Sequence, residues 1–149
     1  QSSMSPTVVL REGRPELVVG GSGGPTIISG VAQVILRVVG ASDSPSAAIA
    51  ASRLHDQASP PGVSVEATMP AATRTFLEER GHAIREVPGL GAVAAVGLTA
   101  RGVALGAGDL RKDGGVSIVE SLPGPARRGN RERRGARPRQ PAKASRRAS

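Results

Sequence analysis

Apolar residues fall in short runs divided by turn formers, and each run predicts an element. Thr7-Val8-Val9-Leu10-Arg11 predicts a strand, Glu12-Gly13-Arg14-Pro15 a turn, and Glu16-Leu17-Val18-Val19 the returning strand. The glycine cluster Gly20-Gly21-Ser22-Gly23-Gly24 follows. From Thr26 to Val39, the residues Ile27, Val31, Val34, Ile35 and Val38 share one side of a helix. Ile28, Ala32 and Val39 widen that surface, leaving Ser29, Gln33 and Arg37 as polar breaks. A helix apolar over most of its circumference is expected to be buried. Gly40 ends it.

Ser44-Pro45 predicts a second helix to about Ser52, with the hydroxyl as cap and proline in the first turn. Arg53-Leu54-His55-Asp56-Gln57 leads into a Pro-Pro-Gly loop, and Val63-Ser64-Val65-Glu66 predicts a strand. Thr68 and Pro70 open a third helix through Phe76 and Leu77 that Gly81 stops. Ile84 to Val87 predicts a strand, and Ala92–Thr99 with Val103–Ala107 a final hairpin. This order of strands and helices predicts an α+β layered fold.

Composition then limits what the body can be. Among 149 residues there is one aromatic, Phe76, and no cysteine. Aromatic side chains bury the largest areas, so a core of Ala, Val, Ile and Leu fits one layer of a larger assembly. The start at Gln1 suggests a fragment or processed piece. No run approaches the roughly 18 apolar residues of a membrane span. The high isoelectric point belongs to the end of the chain. Residues 127–149 hold ten Lys or Arg against Glu132, while residues 1–126 hold ten bases and eleven acids. The reading is therefore a domain over residues 1–120 and a disordered Arg-rich tail over 121–149. The tail has no aromatic to stack on bases, which argues against nucleic acid as a partner.

Two clusters carry candidate chemistry. Ser2 and Ser3 lie in Ser2-Ser3-Met4-Ser5-Pro6, and paired hydroxyls can hold a carboxylate. Gly23 and Gly24 open a helix, where free N–H groups and the helix dipole favour an oxyanion. The loop also satisfies Gly-x-Ser-x-Gly around Ser22, with Asp43 and His55 or His82 following, so a Ser22 serine hydrolase is a competing reading. Neither histidine has a metal-ligand neighbour at useful spacing. The residues call for no metal and no cofactor.

The order of motifs resembles the gamma-glutamyltranspeptidase family. Ser-Ser-Met-Ser-Pro-Thr, a strand pair, Gly-x-x-Gly-Gly, Arg53-Leu54-His55-x-Gln57, Leu77-Glu78-x-Arg80-Gly81-His82 and Asp109-x-Arg111-Lys112 run in its sequence, over roughly residues 1–116. The resemblance implies the C-terminal part of the small subunit and a partial αββα sandwich of the N-terminal-nucleophile hydrolases. It also implies a γ-glutamyl transferase or hydrolase acting on glutathione and related amides through a glutamyl-enzyme. The nucleophilic threonine, the large subunit and the N-terminal part of the small subunit are then expected outside this sequence, and the chain alone is expected to be inactive. Ser2 and Ser3 would bind the α-carboxylate of the glutamyl group, and the Gly23 and Gly24 amides would form the oxyanion hole. An amino acid, a peptide or water would accept the acyl group, and the compartment would be periplasmic or extracellular. The alternatives are a related β-lactam side-chain acylase and a non-catalytic basic protein binding nucleic acid through its tail.

Overall fold

A computed structural model describes residues 3–99 and 103–117, within a compact unit that ends at Ser117. The expected limit at residue 120 and the tail over 121–149 lie outside the described residues.

Strands β1 (Thr7–Arg11) and β2 (Arg14–Ser22) form a hairpin, and helix α1 (Thr26–Ile35) follows and continues as a π-helical turn, Leu36–Gly40. Helix α2 (Pro45–Ala50) leads to β3 (Leu54–His55), β4 (Val63–Glu66), α3 (Ala71–Glu78), β5 (Ile84–Val87), β6 (Ala92–Leu98) and β7 (Ala104–Ala107). A 3-10 turn closes the series at Leu110–Lys112. The larger sheet is antiparallel in the order β1-β2-β6-β7; the smaller has the order β3-β4-β5, with β4 and β5 parallel.

Strand alternation places Leu17, Val19, Val93 and Ala95 on one face of the larger sheet. There they meet Ile27, Val31 and Val34 of α1 and Ala48 and Ile49 of α2 in the main core. Gly97 lets α2 approach closely, since a methyl group there would lie 2.7 Å from the Pro45 ring. Ser44 caps α2, accepting from the Ala47 amide at 3.2 Å, as its sequence predicts. A separate core of Val63, Val65 and Met69 lies under the smaller sheet.

Two expectations shift. The long helix is not buried all round: Ile28, Leu36 and Val39 are exposed, and regular α geometry stops at Ile35. The opposite face of the larger sheet is also bare. Val8, Val18 and Val96 stand in register across β1, β2 and β6, and all three are exposed. The described residues thus give an α+β arrangement with helices on one face of an open sheet and an apolar surface on the other.

Candidate functional site

Strand β2 runs through Gly20, Gly21 and Ser22, so the glycine loop proper is Gly23-Gly24. Both take positive φ, +139° and +64°. At Gly23 a side chain is excluded twice. Its φ is foreign to L-residues, and a methyl group would lie 2.6 Å from the Gly91 Cα and 3.0 Å from the Thr26 hydroxyl. The carbonyls are spoken for. Thr26 Oγ1 donates to Gly23 O at 3.0 Å, and the Ile27 amide donates to Gly24 O at 3.2 Å. Among the described residues neither the Gly23 nor the Gly24 N–H has an acceptor. The loop therefore fixes its peptide planes through oxygen and leaves two donors at the mouth of α1, the arrangement an oxyanion requires.

The segment that carries Ser3 precedes β1, which pairs with β2. Thr7 pairs with Val19 and Val8 with Val18. One residue before β1, Pro6 still stands against Gly20, its Cα 3.9 Å from where a Gly20 Cβ would lie. Before β1 the chain leaves the ladder: Ser5 takes a φ of +45°, and residues 3–6 form no strand beside β2. Locally, Ser5 Oγ donates to Ser3 O and Thr7 Oγ1 to Ser5 O, both at 3.0 Å. Ser2 lies outside the described residues.

The Ser22 triad is not assembled. Ser22 Oγ receives a hydrogen bond from Lys112 Nζ at 3.2 Å, not from a histidine. His55 bonds Ser29 Oγ through Nδ1 (2.8 Å) and Gln57 Oε1 through Nε2 (3.1 Å). Asp43 pairs with Arg37 at 2.7 Å, and His82 is exposed beyond α3. The strand carrying Ser22 also has only antiparallel neighbours, whereas a nucleophile elbow tops a parallel sheet.

Sequence reasoning missed a buried charge cluster beneath the loop. Arg53, Glu66 and Asp109 are 2–3 % exposed and Arg111 is 18 % exposed. Arg53 Nη1 meets Asp109 Oδ2 at 2.6 Å, and Arg111 meets Asp109 Oδ1 at 3.1 Å and Glu66 on both oxygens. Backbone amides complete the shells. Arg53 and Leu90 donate to Glu66, and Val93 and Arg111 donate to Asp109. Burial opposes ionisation of Glu66, but Arg111 and the Arg53 and Leu90 amides outweigh it and hold the carboxyl below its ordinary range. Asp109 is likewise held low: the Arg111 and Val93 amides and then Arg53 overcome burial. Burial lowers the Arg53 guanidinium against the pull of Asp109, while Glu66 raises that of Arg111. The cluster joins β4 of the small sheet to the turn after β7 of the large one. It also ties down Leu90, the neighbour of Gly91. The sequence signal was available in Asp109-x-Arg111, but nothing local pairs it with Glu66, 45 residues away.

The family profile described as Gamma-glutamyltranspeptidase matches residues 1–119. The chain is 32 % identical over 110 residues to a glutathione hydrolase proenzyme of Escherichia coli, covering 74 % of this chain and 19 % of that protein. Among solved structures it is similar to a Helicobacter pylori gamma-glutamyltranspeptidase T380A mutant, with 39 % identity and a TM-score of 0.71. That likeness covers 75 % of this chain and 62 % of the other. A cephalosporin acylase from Bacillus halodurans shares the same TM-score at 27 % identity, over 77 % of this chain and 22 % of the other.

Proposed function

The chain belongs to the gamma-glutamyltranspeptidase family, and we propose that it supplies the C-terminal part of the small subunit of a γ-glutamyl transferase or hydrolase. Its substrates are glutathione and related γ-glutamyl amides. The observation that carries this reading is the pair of amides at Gly23 and Gly24, at the mouth of α1, with no acceptor among the described residues.

The chemistry follows from that placement. A threonine of the parent polypeptide, beyond this sequence, attacks the γ-carbonyl, and its own amine takes the hydroxyl proton. The carbonyl oxygen becomes an oxyanion and is held by the Gly23 and Gly24 N–H groups. Each such donor is worth about 3 kcal/mol in acyl transfer. Collapse expels the amine leaving group, which takes up the proton, and leaves a glutamyl ester on the threonine. Water or the amino group of an amino acid or peptide then attacks that ester. Ser2 and Ser3 hold the α-carboxylate of the glutamyl group through the attack and set the distance to the carbonyl.

The bare face at Val8, Val18 and Val96 supports the further reading that the rest of the small subunit and the large subunit cover this sheet. A periplasmic or extracellular site of action goes with the family. No helix among the described residues is long and apolar enough to cross a membrane.

The test is release of glutamate or of an aromatic amine from glutathione and a γ-glutamyl anilide by the full-length protein. Turnover of both is expected there and none by the 149-residue chain alone. A processed full-length protein that cleaves neither donor overturns the proposal.

A further inference from the structure

One face of the smaller sheet carries a row of polar side chains that the chemistry above does not use. His55 stands opposite Ser64 on the antiparallel pair β3–β4, and Ser64 stands opposite Arg85 on the parallel pair β4–β5. Paired residues point to the same face, so the three line up across the sheet. Leu54, Val63, Val65 and Ile84 belong to the small core on the other face. The polar row borders a cleft of about 290 Å³, which Pro25, Thr26 and Gly89 also line.

Charge and donors are left over in this row. Arg85 Nη2 donates to Ser64 Oγ at 2.7 Å, and Arg85 meets no carboxylate among the described residues. The acids on the same strands are taken. Glu86 pairs with Arg74 at 2.7 Å, and Glu66 gives its oxygens to Arg111 and to the Arg53 and Leu90 amides. Ser64 is 3 % exposed, and its own hydroxyl hydrogen has no acceptor among the described residues. His55 does not take it, because Ser29 Oγ and Gln57 Oε1 occupy the two ring nitrogens, at 2.8 and 3.1 Å. A buried donor left unspent is costly, so the arrangement fits an acceptor drawn from outside the chain.

The donor count sets the class of that acceptor. Arg85 is exposed and offers N–H groups in one plane, while the buried Ser64 hydroxyl offers another from the floor of the cleft. A carboxylate has two oxygens and is used up by the guanidinium fork. A phosphate group has a further oxygen for the hydroxyl. We infer that the cleft at Ser64 and Arg85 binds a phosphate group, as the free ion or as a monoester. His55, held on both sides by Ser29 and Gln57, forms the fixed wall beside it. The site is separate from the glycine turn, since Gly23 and Gly24 do not line it, and it stands whether or not the γ-glutamyl reading does.

The experiment titrates the full-length protein by calorimetry with inorganic phosphate, glycerol phosphate and acetate at one ionic strength. Phosphate is expected to bind saturably and in preference to acetate. Arg85→Met is expected to weaken phosphate binding about tenfold or more, the worth of hydrogen bonds to a charged group. Arg85→Lys should recover part of that loss, because an ammonium presents no fork. Ser64→Ala should remove the preference over acetate. Arg85 is exposed, so its substitution leaves the cores intact, and urea unfolding without phosphate checks this. Glycerol phosphate that binds at least as tightly as phosphate assigns the site to a monoester, and weaker binding assigns it to the free ion. Absence of saturable heat with phosphate overturns the inference, as does a preference over acetate that survives Ser64→Ala. Phosphate binding that Arg85→Met leaves unchanged also overturns it, and places the anion at the Gly23–Gly24 amides instead.

Discussion

Arg111 lays its guanidinium flat along Glu66, Nε on Oε1 and Nη2 on Oε2, each at 2.5 Å. The same guanidinium donates to Ile49 O and Ala51 O, so it also closes the end of α2. Such a pair is costly to break from one side, because the partner is left charged and buried. Arg111→Ala is expected to destabilise the full-length protein by about 3–5 kcal/mol, read as a shift in urea unfolding. Arg111→Lys should recover little of it, since an ammonium cannot span both oxygens. A loss below 1 kcal/mol would mean that the cluster does not bear on the fold.

The same cluster fixes an acid limit. Glu66 and Asp109 are held below their ordinary carboxyl values in the folded chain. Their contribution is present at neutral pH, where both are ionised folded or unfolded. It fades as pH drops below the ordinary carboxylate range and is gone once the pH passes the depressed folded values. Stability should therefore fall on acidification, and in Glu66→Gln the slope of that fall should be shallower. Identical slopes in the two proteins would argue against this linkage.

Gly91 does not touch the proposed substrate, yet its substitution should impair turnover. A methyl group there would lie 2.8 Å from the Thr26 hydroxyl and 3.1 Å from Ser22 O, at a φ of +64°. Moving Thr26 releases the Gly23 carbonyl and tilts the adjoining amide. Gly91→Ala is expected to lower kcat about 100-fold, the scale of a misplacement near 1 Å. Gly40→Ala, with open space around it, should leave kcat unchanged.

Ser3→Ala should act on binding of the donor. Loss of one hydrogen bond to a carboxylate is worth about 1.5–3 kcal/mol, so kcat/KM for a γ-glutamyl anilide is expected to fall tenfold or more. Unchanged kinetics would remove Ser3 from the clamp.

Removal of residues 121–149 is expected to leave γ-glutamyl turnover unaltered, because that composition offers no core to the domain. A large loss on truncation would assign the Arg-rich segment to the fold.

Elements with a local cause were legible in the sequence. Ser44-Pro45 gave the start of α2, the branched residues of Val63–Val65 their strand, and Ala92–Ala107 its hairpin. The glycine loop could be read because its cause, glycines between a strand and a helix start, is local. What stayed hidden depends on distant partners. Ser29, Gln33 and Arg37 look like polar interruptions of a buried helix. In the fold Ser29 bonds His55, Gln33 brackets both backbone groups of Leu54, and Arg37 pairs with Asp43. Leu54–His55 has no strand signal of its own and becomes a strand only through β4. Glu66 reads as an ordinary strand residue until Arg111 arrives from the far end of the domain.

The contact between Gly23 and Gly91 sets an order of events during synthesis. As the polypeptide leaves the ribosome, the hairpin and α1 emerge before residue 91, and the Gly23–Gly24 turn then lacks the contact with Gly91. Its backing comes with the residues just ahead of β6, and the anchor at Asp109 and Arg111 later still. The turn proposed to hold the anion is therefore shaped last, after nearly the whole compact unit has emerged, and a nascent chain stalled before residue 91 carries Gly23 and Gly24 without the backing that fixes them.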